Sequence, residues 1–197
     1  MALLSNSDQP DIVDGRVEYV TMSVLALHRD LVPYIAMQRS QGWQQMRILP
    51  ASSRQVGVLG LGALGAAACR KLAGFGFQVA GWSGSRCEID GVACSAGPDE
   101  MAAFLARSEI LVCLSPPAGE ARVRLDAAFF AKLPRGAKLL SAGGSDHLDQ
   151  DALLAALDDG QVSAAMLDVS SEAQLPTGHA LWSDPRVLVT SHIAGMI

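Results

Sequence analysis

Three glycines at fixed spacing, Gly60, Gly62 and Gly65, are the residues of this chain whose pattern most directly implies chemistry. They sit in Val56-Gly57-Val58-Leu59-Gly60-Leu61-Gly62-Ala63-Leu64-Gly65, where a short aliphatic run leads into Gly-x-Gly-x-x-Gly and then into the small, helix-favouring run Ala66-Ala67-Ala68-Cys69-Arg70. In that order Gly60 allows a sharp turn out of a strand, Gly62 removes a side chain that would hold a ligand off the backbone, and Gly65 lets a helix lie close on a sheet. The chemistry implied is capture of an anion. Unpaired amides around Ala63 and Leu64, at the positive end of the helix dipole, suit a pyrophosphate, so the motif predicts a bound dinucleotide. Glycine is common here, with 19 residues, and the spacing alone would be weak; its place between strand and helix gives it weight.

The choice of dinucleotide falls to the end of the next strand, about 20 residues on, where an NAD site has an acidic residue for the ribose. Here the segment reads Trp82-Ser83-Gly84-Ser85-Arg86. Ser83 and Ser85 bring no charge to repel a 2′-phosphate, and the planar cation of Arg86 suits one, which places NADP(H) ahead of NAD(H). The same four residues could equally make an ordinary solvated turn.

The elements that must position these groups follow from the apolar pattern. Phe77 to Trp82, Ile110 to Leu114, Lys138 to Leu140, Ala164 to Leu167 and Val187 to Val189 read as further strands, apolar throughout, as in parallel sheets covered on both faces. Helices are expected at Met101 to Ala106, Leu125 to Lys132 and Asp151 to Leu157, the last closed by Gly160. This alternation defines an α/β fold with a doubly wound parallel sheet. Ahead of it, Val17, Val20, Val24, Leu27, Leu31 and Ile35 recur at helical spacing, with Pro33 expected to kink or divide the helix. The expected organisation is a loose lead at 1–16, a helical segment at 17–50 and a dinucleotide-binding domain at 51–197. Trp43 should pack on this chain or meet a second subunit.

A net charge of −5, with lysine and arginine scattered singly, argues against nucleic acid and polybasic membrane contacts. Asp8, Asp11 and Asp14 are unlike a signal peptide, and no apolar run reaches membrane-spanning length, so a cytoplasmic protein is expected. Cys69, Cys87, Cys94 and Cys113 lack metal-ligand spacing and read as reduced thiols, with no metal site. His28, His147 and His179 read as structural or surface groups.

Taken together, the glycine motif, Gly81 to Arg86, Leu133-Pro134-Arg135-Gly136-Ala137, Asp151 to Leu157, Ala165-Met166-Leu167-Asp168-Val169 and Pro185 to Ala194 resemble the NAD(P)-binding domain of the D-isomer-specific 2-hydroxyacid dehydrogenases, in particular the glyoxylate/hydroxypyruvate reductase A type. The likeness runs from about Val17 to the C-terminus and implies a Rossmann-type fold. It also implies hydride transfer between a nicotinamide and C2 of a small 2-oxoacid, a histidine that exchanges a proton with the substrate oxygen, a glutamate that keeps it protonated and an arginine that holds the carboxylate. His192 matches the histidine, Asp168 matches the residue that contacts the nicotinamide carboxamide, and Pro116, in Ser115-Pro116-Pro117, joins the cofactor-contacting positions. A hydrogen-bonded loop histidine is the alternative for His192.

Two catalytic positions depart from the family pattern. Gly144 stands where the arginine belongs, and Ala173 where the glutamate belongs, with Glu172 one residue away. The substrate-binding lobe is expected to be largely absent, so that catalysis by this chain is impaired, or replaced by a binding or scaffold role. The resemblance further implies a homodimer, with Leu27, Leu31, Ile35 and Trp43 as apolar contacts.

Overall fold

The computed structural model describes residues 10–114, 123–142, 147–169 and 175–195. Strands β1 (Gln55–Leu59), β2 (Gln78–Ser83), β3 (Ala93–Ala96), β4 (Ile110–Cys113), β5 (Ala137–Ser141), β6 (Val162–Asp168) and β7 (Val187–Thr190) form one sheet in the order β3-β2-β1-β4-β5-β6-β7, with every pairing parallel. Parallel neighbours need crossovers, and these are supplied by α3 (Ala63–Gly74), α4 (Gly97–Ala106), α5 (Ala127–Phe130) and α6 (Gln150–Asp158). The order places β1 beside both β2 and β4, and the reversal of winding there opens a crevice at the strands' C-terminal ends.

Successive residues of each strand feed opposite faces. In β4, Leu111 and Cys113 join Leu59, Phe104, Phe129, Phe130 and Leu153 on one side. Ile110 and Val112 join Val56, Val58, Leu72 and Val24 on the other. Both faces are therefore covered, which is why the strands read as unbroken apolar runs.

The second face is closed by α1 (Pro10–His28), followed by α2 (Leu31–Arg39). Helix α1 starts well before Val17, so the lead expected to be loose over 1–16 is helical from Pro10 onward. The division of the two helices occurs at Asp30, whose φ of 56° is left-handed, and Pro33 lies in the first turn of α2, where its missing N–H breaks no helical bond. Buried Lys138 of β5 secures the junction, bonding the Leu27 carbonyl at 2.7 Å and pairing with the Asp30 carboxylate. Leu27 is itself in this core, which removes it from the expected subunit contacts. Leu31 remains 46% exposed and Trp43 93% exposed.

Two further expectations are corrected. β3 was not foreseen, because Ala93-Cys94-Ser95-Ala96 is a half-buried edge strand of small residues without an apolar run. The helix expected over Leu125 to Lys132 is a single turn, Ala127–Phe130, begun by the Asp126 side chain accepting from the Phe129 amide.

Candidate cofactor and catalytic site

The glycine turn closes at the crevice. Gly60 has φ 103°, a region open to glycine, and its N–H donates to the Trp82 carbonyl at 2.8 Å. A Cβ on Gly65 would be driven into the Gly60 carbonyl oxygen, so helix α3 can approach the turn only with glycine there. Gly62 is the N-cap residue of α3, and apart from its own chain neighbours nothing lies within 4 Å of where its Cβ would stand. The helical ladder begins with the Ala66 amide bonding the Gly62 carbonyl at 2.9 Å. The amides of Ala63, Leu64 and Gly65 precede it and have no acceptor within the helical ladder, the arrangement a diphosphate requires.

At the end of β2, Ser83 donates to the Ser85 carbonyl at 2.6 Å and lies 3.7 Å from the Cys87 thiol. Arg86 is not idle: it pairs with Glu100 of α4. The second Glu100 oxygen accepts the Ala96 amide at 2.8 Å. That amide, with Arg86 behind it, holds the Glu100 carboxyl below its ordinary range. No carboxylate belongs to the Ser83 to Arg86 turn, but Glu100 supplies a counter-charge from outside it, which reading the turn by itself misses. Pro98-Asp99-Glu100, an acidic first helical turn behind a proline, was the available signal.

At the ends of β6 and β7, buried Asp168 is held from several sides. One carboxylate oxygen accepts the Thr190 hydroxyl at 2.6 Å and the Ile193 amide at 3.0 Å, and the other accepts the Ala194 amide at 3.0 Å. Since the Thr190 proton is committed, the Tyr19 hydroxyl of α1 must be the donor in its 2.7 Å contact with Thr190. Burial is the main cause raising the Tyr19 phenol above its ordinary value, which keeps it protonated. Tyr19, Thr190 and Asp168 thus form a chain of hydrogen bonds ending on the amides just beyond His192. His192 is exposed, with a left-handed φ of 58°. Asp168 retains acceptor capacity for one more donor, since a carboxylate offers about four lone-pair sites.

Three of the positions expected in the site, Pro116, Gly144 and Ala173, lie outside the described residues, as does Glu172. The remaining histidines and cysteines fit structural roles. His28 is buried edge-on to Phe77 with ring centroids 5.0 Å apart, and His179 accepts the Leu181 amide at 3.2 Å. His147 is also buried. All four cysteines are free; burial pushes the Cys69 thiol up to about 12 and raises Cys113 as well.

A dinucleotide turn at the switch point of an all-parallel sheet defines a dinucleotide-binding domain of the Rossmann type. The chain belongs to the D-isomer specific 2-hydroxyacid dehydrogenases: the profile of that family's NAD binding domain matches residues 21–194. Among curated relatives, the glyoxylate/hydroxypyruvate reductase A of Serratia proteamaculans is 39% identical over 179 residues, covering 91% of this chain and 57% of that protein. The enzyme of the same name from Yersinia enterocolitica is 37% identical over the same length. The chain therefore spans 57% of the length of these curated relatives. Among solved structures, a D-isomer specific 2-hydroxyacid dehydrogenase from Xanthobacter autotrophicus Py2 in complex with NADPH and MES is 39% identical, with a TM-score of 0.90 over 96% of this chain and 78% of that one. The NADPH-dependent glyoxylate/hydroxypyruvate reductase of Sinorhizobium meliloti, in complex with NADP and sulfate, is 34% identical, with a TM-score of 0.86 over 93% of this chain and 60% of that one.

Proposed function

We propose that this domain binds NADP(H) and takes part in reducing a small 2-oxoacid of the glyoxylate or hydroxypyruvate kind, with His192 as the proton donor. The observation that carries this reading is the turn from Gly60 to Gly65, open at Gly62, set at the β1/β4 crevice. Amides of Ala63, Leu64 and Gly65 would hold the pyrophosphate; Ser83, Ser85 and Arg86 would face the 2′-phosphate, with Arg86 released from Glu100 or shared with it. The cofactor supplies the hydride when bound. Asp168 would take the nicotinamide carboxamide on its free acceptor site, and Pro116 would border the ring. NADP comes first because relatives were solved with it; NAD is the second choice.

Gly144 and Ala173 leave the arginine and glutamate roles unfilled at their motif positions. Loss of one such donor can cost about 3 kcal/mol of barrier, so weak turnover is expected. The same two residues favour a second reading, a non-catalytic cofactor-binding or scaffold module that acts by association. Either reading accommodates a homodimer, for which Leu31, Ile35 and Trp43 offer apolar surface; among the described residues no helix is long and apolar enough to cross a membrane.

Hydride transfer decides between the readings. NADPH oxidation with glyoxylate or hydroxypyruvate, clearly above that of His192→Ala, supports the reductase; rates equal to the variant's leave the module. Saturable NADPH binding with weaker NADH binding, followed by nicotinamide fluorescence, tests the cofactor assignment in either case.

A further inference from the structure

With Gly144 at the arginine position, a 2-oxoacid would lack a cation for its carboxylate. An arginine on another element stands beside the histidine segment. Arg16 of α1 lies one turn before Tyr19, so the two share a helix face. Tyr19 is tied through Thr190 and Asp168 to the amides of Ile193 and Ala194, which fixes the rotation of α1 against the residues that follow His192. The Arg16 guanidinium lies across Gly195: a Cβ there would stand 3.3 Å from Nη2 and 3.4 Å from Nε. Glycine at 195 is what leaves it room.

The guanidinium is also among the arginines that make no ion pair within the described residues. Arg54 meets Glu109, Arg86 meets Glu100, Arg124 meets Asp149, and Arg186 meets Asp158 and Asp184. Among the described residues Arg16 has no carboxylate within ion-pair distance, and its buried Nε–H has no acceptor. A buried donor without an acceptor is costly, and arginine cannot escape by losing its proton. Asp168 takes the Thr190 hydroxyl and the Ile193 and Ala194 amides and makes no ion pair with Arg16. The side chain is half-buried overall, so a ligand can reach its outer edge.

We infer that Arg16 receives the carboxylate of the 2-oxoacid from the α1 side of the site, in place of the arginine whose motif position is occupied by Gly144. The inference rests on the reductase reading for the identity of the ligand. The Nη1 and Nη2 groups at the tip form the fork that takes the two oxygens of a carboxylate end-on, while the buried Nε stays against Gly195. No covalent step is involved: Arg16 orients the acid and places positive charge near the carbonyl to be reduced.

Oxamate, an unreactive 2-oxoacid isostere, is the probe. Titrated by calorimetry into the NADPH-loaded protein and into the unloaded protein, it should bind the wild type and bind Arg16→Gln at least about tenfold more weakly, with Arg16→Lys in between because it keeps the charge and loses the fork. Arg16→Met, which preserves an apolar stem over Gly195, gives the same comparison should the glutamine variant not fold. Equal oxamate affinity in wild type and variants, or no oxamate binding by the wild type, overturns the assignment. Turnover separates this from the parent reading. If glyoxylate is reduced, the KM for glyoxylate should rise in Arg16→Gln while the KM for NADPH stays put. Arg16-dependent oxamate binding without any turnover sustains the anion site and sinks the reductase.

Discussion

The glycine turn and the histidine segment both stand at C-terminal ends of strands in one sheet, yet they are held in different ways. The turn is secured by its own neighbours: Gly60 by the adjoining strand, Gly65 by contact with Gly60, and α3 by the strand that feeds it. The histidine segment is secured from a distance, through a carboxylate on β6, a hydroxyl on β7 and a phenol on α1, 171 residues from Thr190 in sequence. Local support is carried by a short motif. Remote support depends on the whole domain being assembled, so the two regions should respond differently to the same insult.

The sharpest way to break the local region is Gly65→Ala, which forces a methyl into the Gly60 carbonyl. It should cost about 3 kcal/mol in urea unfolding and abolish NADPH binding at concentrations that saturate the wild type. Unchanged stability with intact binding would mean that α3 can retreat from the turn, and that the turn is less rigid than its geometry implies. On the remote side, Asp168→Asn keeps the shape but swaps an acceptor for a donor facing the Ala194 or Ile193 amide or the Thr190 hydroxyl. A loss of about 2 kcal/mol is expected, with faster exchange of the Ile193 and Ala194 amides and little change in those of β1.

Tyr19→Phe is a gentler cut. Removing the hydroxyl should cost about 1 kcal/mol and speed exchange at Ile193 and Ala194 while leaving the α1 amides protected. Equal exchange in both proteins would make Tyr19 a packing residue only. The lower end of α1 offers a pH test of the same helix. His28 is buried, and burial first, then the Arg54, Lys138 and Arg29 charges, lower its pKa in the folded chain from the ordinary 6.5. The unfolded chain therefore binds the proton more readily, so stability is full above about pH 6.5 and declines as pH falls below it. Thermal melts between pH 8 and pH 5 should show that slope, and His28→Asn should flatten it.

The smallest effect concerns specificity. Glu100→Gln frees Arg86 from its counter-charge and should tighten NADPH binding about threefold with no gain for NADH. A gain shared by both cofactors would show that Glu100 acts on the adenine side generally rather than on the 2′-phosphate.

How far each region could be read from residues follows the same division. The glycine motif announces itself because strand, turn and helix are contiguous, and β1, β2, β4, β5, β6 and β7 announce themselves by short, mainly apolar runs, the central ones buried on both faces. β3 did not, since an edge strand of alanine, cysteine and serine has no such run. The start of α1 at Pro10 was hidden by its polar first turns, in which Asp14 lies exposed. Nothing in the spacing of Arg16 or Tyr19 singles them out from other positions of an amphipathic helix. Their significance arises only when α1 lies against the end of β7. Glu100 was missed for the same reason: a helix brings it back to a turn 14 residues earlier in the chain.

His192 occupies a backbone conformation that glycine or asparagine would adopt with less strain, at a cost on the order of 1 kcal/mol for a residue with a Cβ. Mutational drift acting on stability alone would push this position toward glycine. The chain places an imidazole there, on a segment whose next two amides are held by a buried carboxylate, and His192→Gly should melt higher than the wild type. If His192 is the proton donor proposed above, thermal tolerance and chemistry pull it in opposite directions, which makes position 192 the place to look for selection on activity among natural variants of the domain.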